Sequence, residues 1–202
     1  MRKILLTLTL AGTLSVQNIQ AQDAFGKGST VLNLGLGLGG VVGYWGAGYS
    51  ATPYLNTSLD IGVYEFPDVK GLSIGLGGYL GYKSTSYTYG GTWVDKKGNI
   101  HYDEPVKSTW TYFAIGFRPT IHYSFSSANA EVYAGLPLGY VIVSHKYSNP
   151  EYAYYANTTY PSYVGYGLIF GGRYFFSKSF GAYLELGYGI SYLNLGVSFK
   201  FK

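Results

Sequence analysis

Three histidines, ten acidic and fourteen basic residues are spread over 202 residues that contain no cysteine. The spacing with the most chemical content is His122 with Ser124. Residues two apart on a strand share a face, so this pair could place a base beside a hydroxyl nucleophile. No deacylase or protease motif surrounds it, and it lies beside the brief connection "SSAN", so a structural or solvated His122 is the expectation. His101 has Asp95, Asp103 and Glu104 as neighbours, donors that could hold a metal, but polar loops produce such groupings often. His145 has no acid partner nearby in sequence. "GLGLGG", Gly35 to Gly40, matches G-x-G-x-x-G, yet that motif holds a pyrophosphate only where it closes a strand and opens a helix. Here no helix follows. No catalytic residue, cofactor or metal is expected.

A second group of charged residues is organised by parity. Asp60, Glu131 and Glu185, and against them Lys83, Arg118, Arg173 and Lys200, with His122 nearby, occupy the same row of a set of alternating segments. The clearest case is "GAYLELGYGISYLNLGVSFKFK". Ala182, Leu184, Leu186, Tyr188 and Ile190 form one face, and after a switch of parity Leu193, Leu195, Val197, Phe199 and Phe201 continue it. The switch predicts a two-residue hairpin loop near "GISY", because an even loop keeps paired faces aligned. Period-2 alternation of this length means amphipathic strands.

Six further runs precede these two. Their apolar rows run through Leu32–Leu38, Leu55–Val63, Leu72–Tyr82, Phe113–Phe125, Val132–Ile142 and Val164–Phe176. Pro119 predicts a bulge or bend in the fourth, and Pro137 interrupts the fifth. No segment carries the caps and periodicity of an amphipathic helix. Brief links such as "EFPDVKG", "SSAN" and "SKSF" alternate with long ones that are rich in tyrosine, among them "YTYGGTW" and "YSNPEYAYYANTTY". The fold expected is an eight-stranded, antiparallel, up-and-down transmembrane β-barrel.

Which row faces inward follows from composition. Charged residues make up 12% of the chain, about half the fraction usual in a soluble domain, whereas glycine numbers 30 and tyrosine 24. In a soluble, ligand-holding barrel the apolar row points inward and the alternate row must be a hydrated surface. The alternate row here is mostly glycine, which is costly in an exposed strand and suits the cramped lumen of a narrow barrel. The apolar row then faces lipid. Charges of both signs, Asp60, Lys83, Arg118, His122, Glu131, Arg173, Glu185 and Lys200, form a polar plug in the lumen, while Lys83 and Lys200, near the ends, have solvation as their plainer alternative. Aromatic residues gather at run ends: Tyr64, Phe66, Tyr123, Phe125, Phe176 and Phe180 beside the short turns, and Tyr54, Tyr82, Trp110 and Tyr140 towards the long loops, as two interfacial girdles would require. So narrow a barrel, filled with side chains, is not a general diffusion pore.

"MRKILLTLTLAGTLSVQNIQAQ" has Arg2 and Lys3, a hydrophobic stretch and small Ala21, the pattern of a secretory signal peptide. Residues 1–21 are assigned to it and 22–202 to the barrel. Its loss removes two cations and no acid, so the formal net charge falls from +4 to +2, and no nucleic-acid footprint remains.

The leader, the eight runs, "YAGLPLGY" and "GRYFFSKSFGAYLELGYGISYLNLGVSFKF" resemble the small outer-membrane β-barrel proteins of Gram-negative bacteria, similar in layout to the families of outer membrane proteins A and X. The resemblance covers essentially the whole mature chain and rests on pattern, with no diagnostic functional motif. It implies outer-membrane lipid and lipopolysaccharide as surroundings. It also implies recognition of a final aromatic strand by the barrel-assembly machinery, although Phe201 here is penultimate and Lys202 ends the chain. In such a chain the sequon at Asn157 has no weight. Rigid amphipathic tyrosines beside Gly, Ser and Asn suit the long loops to contacts with extracellular or envelope partners. The role expected is therefore structure, adhesion or envelope contact without enzymatic activity, with a lipid A-modifying barrel enzyme and a soluble ligand-binding barrel as alternatives.

Overall fold

The computed structural model describes residues 24–40, 42–43, 47–90, 92–94, 97–102, 105–125, 129–149 and 160–201. The leader assigned to 1–21 lies outside these residues, as do Asp95, Asp103, Glu104, Asn157 and the side chain of His101. Among the described residues every regular element is a strand, and the strands form a closed, eight-stranded antiparallel barrel.

Six barrel strands are single elements: β1 (Thr30–Leu38), β3 (Tyr54–Glu65), β4 (Leu72–Tyr89), β7 (Val106–Phe125), β12 (Phe180–Tyr188) and β13 (Leu193–Phe201). Each of the other two is divided, into β8 (Ala130–Gly135) with β9 (Leu138–Tyr147) and into β10 (Tyr163–Tyr166) with β11 (Leu168–Phe175). Every strand pairs with its neighbour in sequence, and β1 pairs with β13 from Thr30↔Phe201 to Leu38↔Leu193 to close the ring. At the long-loop end, β2 (Tyr49–Ala51) adds to the top of β4, while β5 (Thr92–Val94) and β6 (Ile100–Tyr102) form a separate hairpin.

The divided strands have a chemical cause. Pro119 stands opposite the Leu136 position and Pro137 opposite Gly167, and the ladder keeps one register on both sides of each. Leu136 donates to the Pro119 carbonyl and Gly167 to that of Pro137, but neither proline has an N–H to return. Each pair therefore keeps one bond of two. Of the bulge or bend expected at Pro119, the bulge is absent; β7 runs through it unbroken and in register. The bulge is at Val63, where the β3–β4 register shifts between Gly62 and Tyr64. The link from β12 to β13 is Gly189–Tyr192, four residues and not two, with Gly187 N–H donating to the Tyr192 carbonyl. Four is also even, so the faces stay aligned, with Leu186 opposite Leu193.

The two rows separate cleanly. Leu34, Leu36, Ile61, Leu80, Ile115, Phe117, Ile142, Leu184 and Leu195 are exposed on the outside. Around the short-turn end, exposed Tyr64, Tyr123, Phe125, Tyr174, Phe176 and Phe180 make a band of edge-to-face and tilted ring pairs. At the other end Tyr82 and Tyr140 face outward as expected, but Tyr54 and Trp110 are buried in the lumen. On β3 and β7 the outward row has odd numbers, so the even positions of Tyr54 and Trp110 already placed them on the lumen row.

Candidate functional site: the lumen ion-pair network

Asp60 on β3 is the centre of the lumen and is fully buried. Arg118 Nε on β7 donates to its Oδ1 at 3.0 Å, and Arg173 Nη2 on β11 to its Oδ2 at 2.8 Å. Arg118 then reaches Glu185 Oε1 on β12 at 2.6 Å, and Arg173 Nη1 pairs with Glu131 Oε1 on β8. His122 Nδ1 lies 3.5 Å from the other oxygen of Glu131. Three carboxylates thus enclose two guanidiniums, with an imidazole at one end. Tyr133 completes the layer, donating from its hydroxyl to Glu185 at 2.9 Å while Arg173 sits 4.9 Å from its ring centre. Polar side chains extend the network on both flanks. Asn33 donates to Ser58 and accepts from Ser198, and Asn56 accepts from Tyr183 and donates to Asn194. Charges taken from water are tolerable when paired and hydrogen-bonded in this way.

The register explains how side chains on different strands meet. Across the ladder, Asp60 stands opposite Gly77 and Gly77 opposite Arg118. Tyr133 stands opposite Gly171, which stands opposite Glu185. Asn56 reaches Tyr183 across Gly35 and Gly196 in the same manner. Each glycine is a missing side chain over which two polar groups touch. A Cβ on Gly171 would enter the ring of Tyr133, one on Gly35 the hydroxyl of Tyr183, and one on Gly81 the ring of Tyr54.

Of the eight residues assigned to the lumen from sequence, six meet in this network: Asp60, Arg118, His122, Glu131, Arg173 and Glu185. The remaining two are placed elsewhere. Lys83 is 1% exposed, so it is not solvated; its ammonium donates to the Val42 carbonyl at 2.7 Å and ties the first long loop into the lumen. There Val42 packs with Tyr79, Trp110, Tyr112 and Val141. Lys200 lies towards the short-turn end, its ammonium 5.9 Å from the ring centre of Phe175. Sequence reading passed over Asn33, Asn56, Ser58, Tyr133, Tyr183 and Asn194, although all lie on the lumen row of their strands.

His122 and Ser124 share a face, but their hydrogen bonds go elsewhere. Ser124 donates to the Phe25 carbonyl at 2.7 Å and accepts from the Phe25 N–H at 2.9 Å, while His122 Nε2 pairs with Thr120 Oγ1 at 2.7 Å. His145, at the long-loop end, contacts Ser108 Oγ through Nε2 at 2.5 Å and stacks on Trp110, and Ser108 is fully buried. A cavity of about 50 Å³ beside the network is lined by Asn56, Arg118, Glu185 and Asn194 together with apolar Pro137, Ile169 and Ile190. No protein-family model matches the chain, and no curated protein matches it.

Proposed function

We propose that this protein is an integral outer-membrane barrel, exported by a leader at residues 1–21, that serves structure, adhesion or envelope contact through its tyrosine-rich loops and carries out no catalysis. The observation that supports this most is the inversion of the usual soluble pattern. Large apolar side chains cover the outside, while Asp60, Arg118, Glu131, Arg173 and Glu185 are buried and paired within. An apolar exterior of this extent is unfavourable in water and favourable in hydrocarbon. Along β7 the outward apolar row runs from Phe113 to Phe125; twelve steps of about 3.3 Å, tilted by about 40°, cover roughly 30 Å, enough for the apolar band of an outer-membrane barrel. The surroundings are then outer-membrane lipid and lipopolysaccharide, insertion falls to the barrel-assembly machinery, and the long loops are left to meet envelope or extracellular proteins. A resemblance in layout to outer membrane proteins A and X agrees with this reading.

Cell fractionation combined with gel mobility before and after boiling tests it. The protein should stay with washed outer membranes and should migrate differently when unheated; recovery in the soluble fraction without detergent would replace this reading with a soluble barrel. Loss of acyl chains from lipopolysaccharide on incubation with refolded protein, abolished by His122→Ala, would replace it with a lipid-acting enzyme.

A further inference from the structure

We propose that the short-turn mouth of the barrel is a peptide-binding site, filled in this structure by the chain's own Ala24–Phe25, and that its ligand class is a short peptide segment with a small residue followed by an aromatic one. Ala24 and Phe25 belong to no strand, yet they are 2% and 1% exposed. The Phe25 ring stacks on the His122 imidazole at 3.8 Å with 20° between planes, and packs with Val31 of β1 and Phe175 of β11. Ser124, 99 residues away, accepts from the N–H and donates to the C=O of Phe25. A single hydroxyl thus reads the backbone of the segment in both directions, whatever its sequence, while the aromatic socket selects the side chain.

The segment is joined to the wall as a strap and not as a strand. Gly26 and Ser29 close a turn, with Ser29 N–H donating to the Gly26 carbonyl and Gly26 N–H to Ser29 Oγ; Gly28 takes a φ of 85° that other residues rarely adopt. Gly28 N–H donates to the Gly62 carbonyl, and Gly62 N–H returns a bond to Ser29. Gly62 adjoins the Val63 bulge, and a Cβ there would collide with the Gly26 carbonyl, so the wall is shaped to let the strap past. From β1 the strap crosses the mouth to β7, three strands further round the barrel. Because the strap is tethered, its effective concentration at the socket is high, and a free peptide competes only when the strap is weakened.

Phe25→Asp puts a carboxylate in the aromatic socket close to His122 and Glu131 and should empty it. A dye-labelled peptide with the sequence of residues 24–29, Ala-Phe-Gly-Lys-Gly-Ser, is titrated against the refolded full chain in detergent micelles. It should bind the Phe25→Asp protein at least tenfold more tightly than the wild type. That binding should vanish when the phenylalanine of the peptide is replaced by alanine or when Ser124→Ala is added. Equal binding to both proteins, or binding that ignores the phenylalanine, overturns the proposal. If Phe25→Asp does not refold, amide exchange decides: Ser124→Ala should speed exchange of the Phe25 amide at least tenfold and leave that of Gly35 unchanged, and an unchanged Phe25 rate overturns the proposal. This inference goes beyond the proposed envelope role and does not depend on it, since a protein that fractionates as soluble could still bind the peptide.

Discussion

Asp60 receives one guanidinium on each carboxylate oxygen, and each of those guanidiniums has a second carboxylate, Arg118 in Glu185 and Arg173 in Glu131. Asp60→Asn keeps the shape and removes the charge, so Arg118 and Arg173 lose their shared counter-ion in a site with almost no exposure. Denaturant unfolding in micelles should show a loss of about 1–3 kcal/mol. Lys107, exposed on the outer face, gives the contrast, and Lys107→Gln should leave the unfolding midpoint unchanged. Parity alone was enough to assign Asp60, Arg118, His122, Glu131, Arg173 and Glu185 to the lumen. Who pairs with whom could not be read, because it depends on the stagger between strands. The same stagger separates Lys83 from the network: it lies six residues along β4 from Gly77, the position facing Arg118, a distance of roughly 20 Å.

The barrel wall is a ladder of rows in which glycine does positional work, and two neighbours on β11 show it. Gly171 faces the lumen under the Tyr133 ring, whereas Gly172 faces outward, where a Cβ would meet only the Glu131 carbonyl at an ordinary 3.7 Å. Gly171→Leu should therefore displace Tyr133 and cost about 1–3 kcal/mol or more, as overpacking does. Gly172→Leu should be neutral or slightly stabilising in lipid, measured by the same unfolding experiment. Strand number and the facing of each row were legible because alternation survives in a sheet with unlike sides, but the strand ends were not: β4 runs on to Tyr89 and β7 starts at Val106, within what reads as a long link. Three further features were not legible. The Val63 bulge has no proline or glycine at the inserted position to announce it. The harmless passage of β7 through Pro119 depends on Leu136 still donating to the Pro119 carbonyl, which only the partner strand reveals. The strap at Ala24–Phe25 precedes the first alternating run and is held by Ser124 from 99 residues away, a contact that no local pattern encodes.

At the scale of the whole molecule, the chain closes its own lumen three times. Phe25 seals the short-turn mouth, the ion pairs fill the middle, and Val42, held by Lys83, packs among Tyr79, Trp110 and Tyr112 towards the long loops. Lys83→Met should free the Val42 carbonyl, and limited proteolysis should then cut the first long loop faster with the barrel strands still protected. Closed inside and apolar outside, the barrel has the surface that the proposed hydrocarbon-facing exterior requires. One substitution tests that claim directly. Phe117 is half exposed near the middle of the outward row of β7, so Phe117→Arg places a cation near the bilayer midplane. Folding into lipid vesicles, followed by denaturant titration, should show a loss of about 2–4 kcal/mol, and the same arginine placed at Thr109, beyond the apolar row, should cost about 1 kcal/mol or less. Equal stability of Phe117→Arg and the wild type would contradict a hydrocarbon-facing exterior.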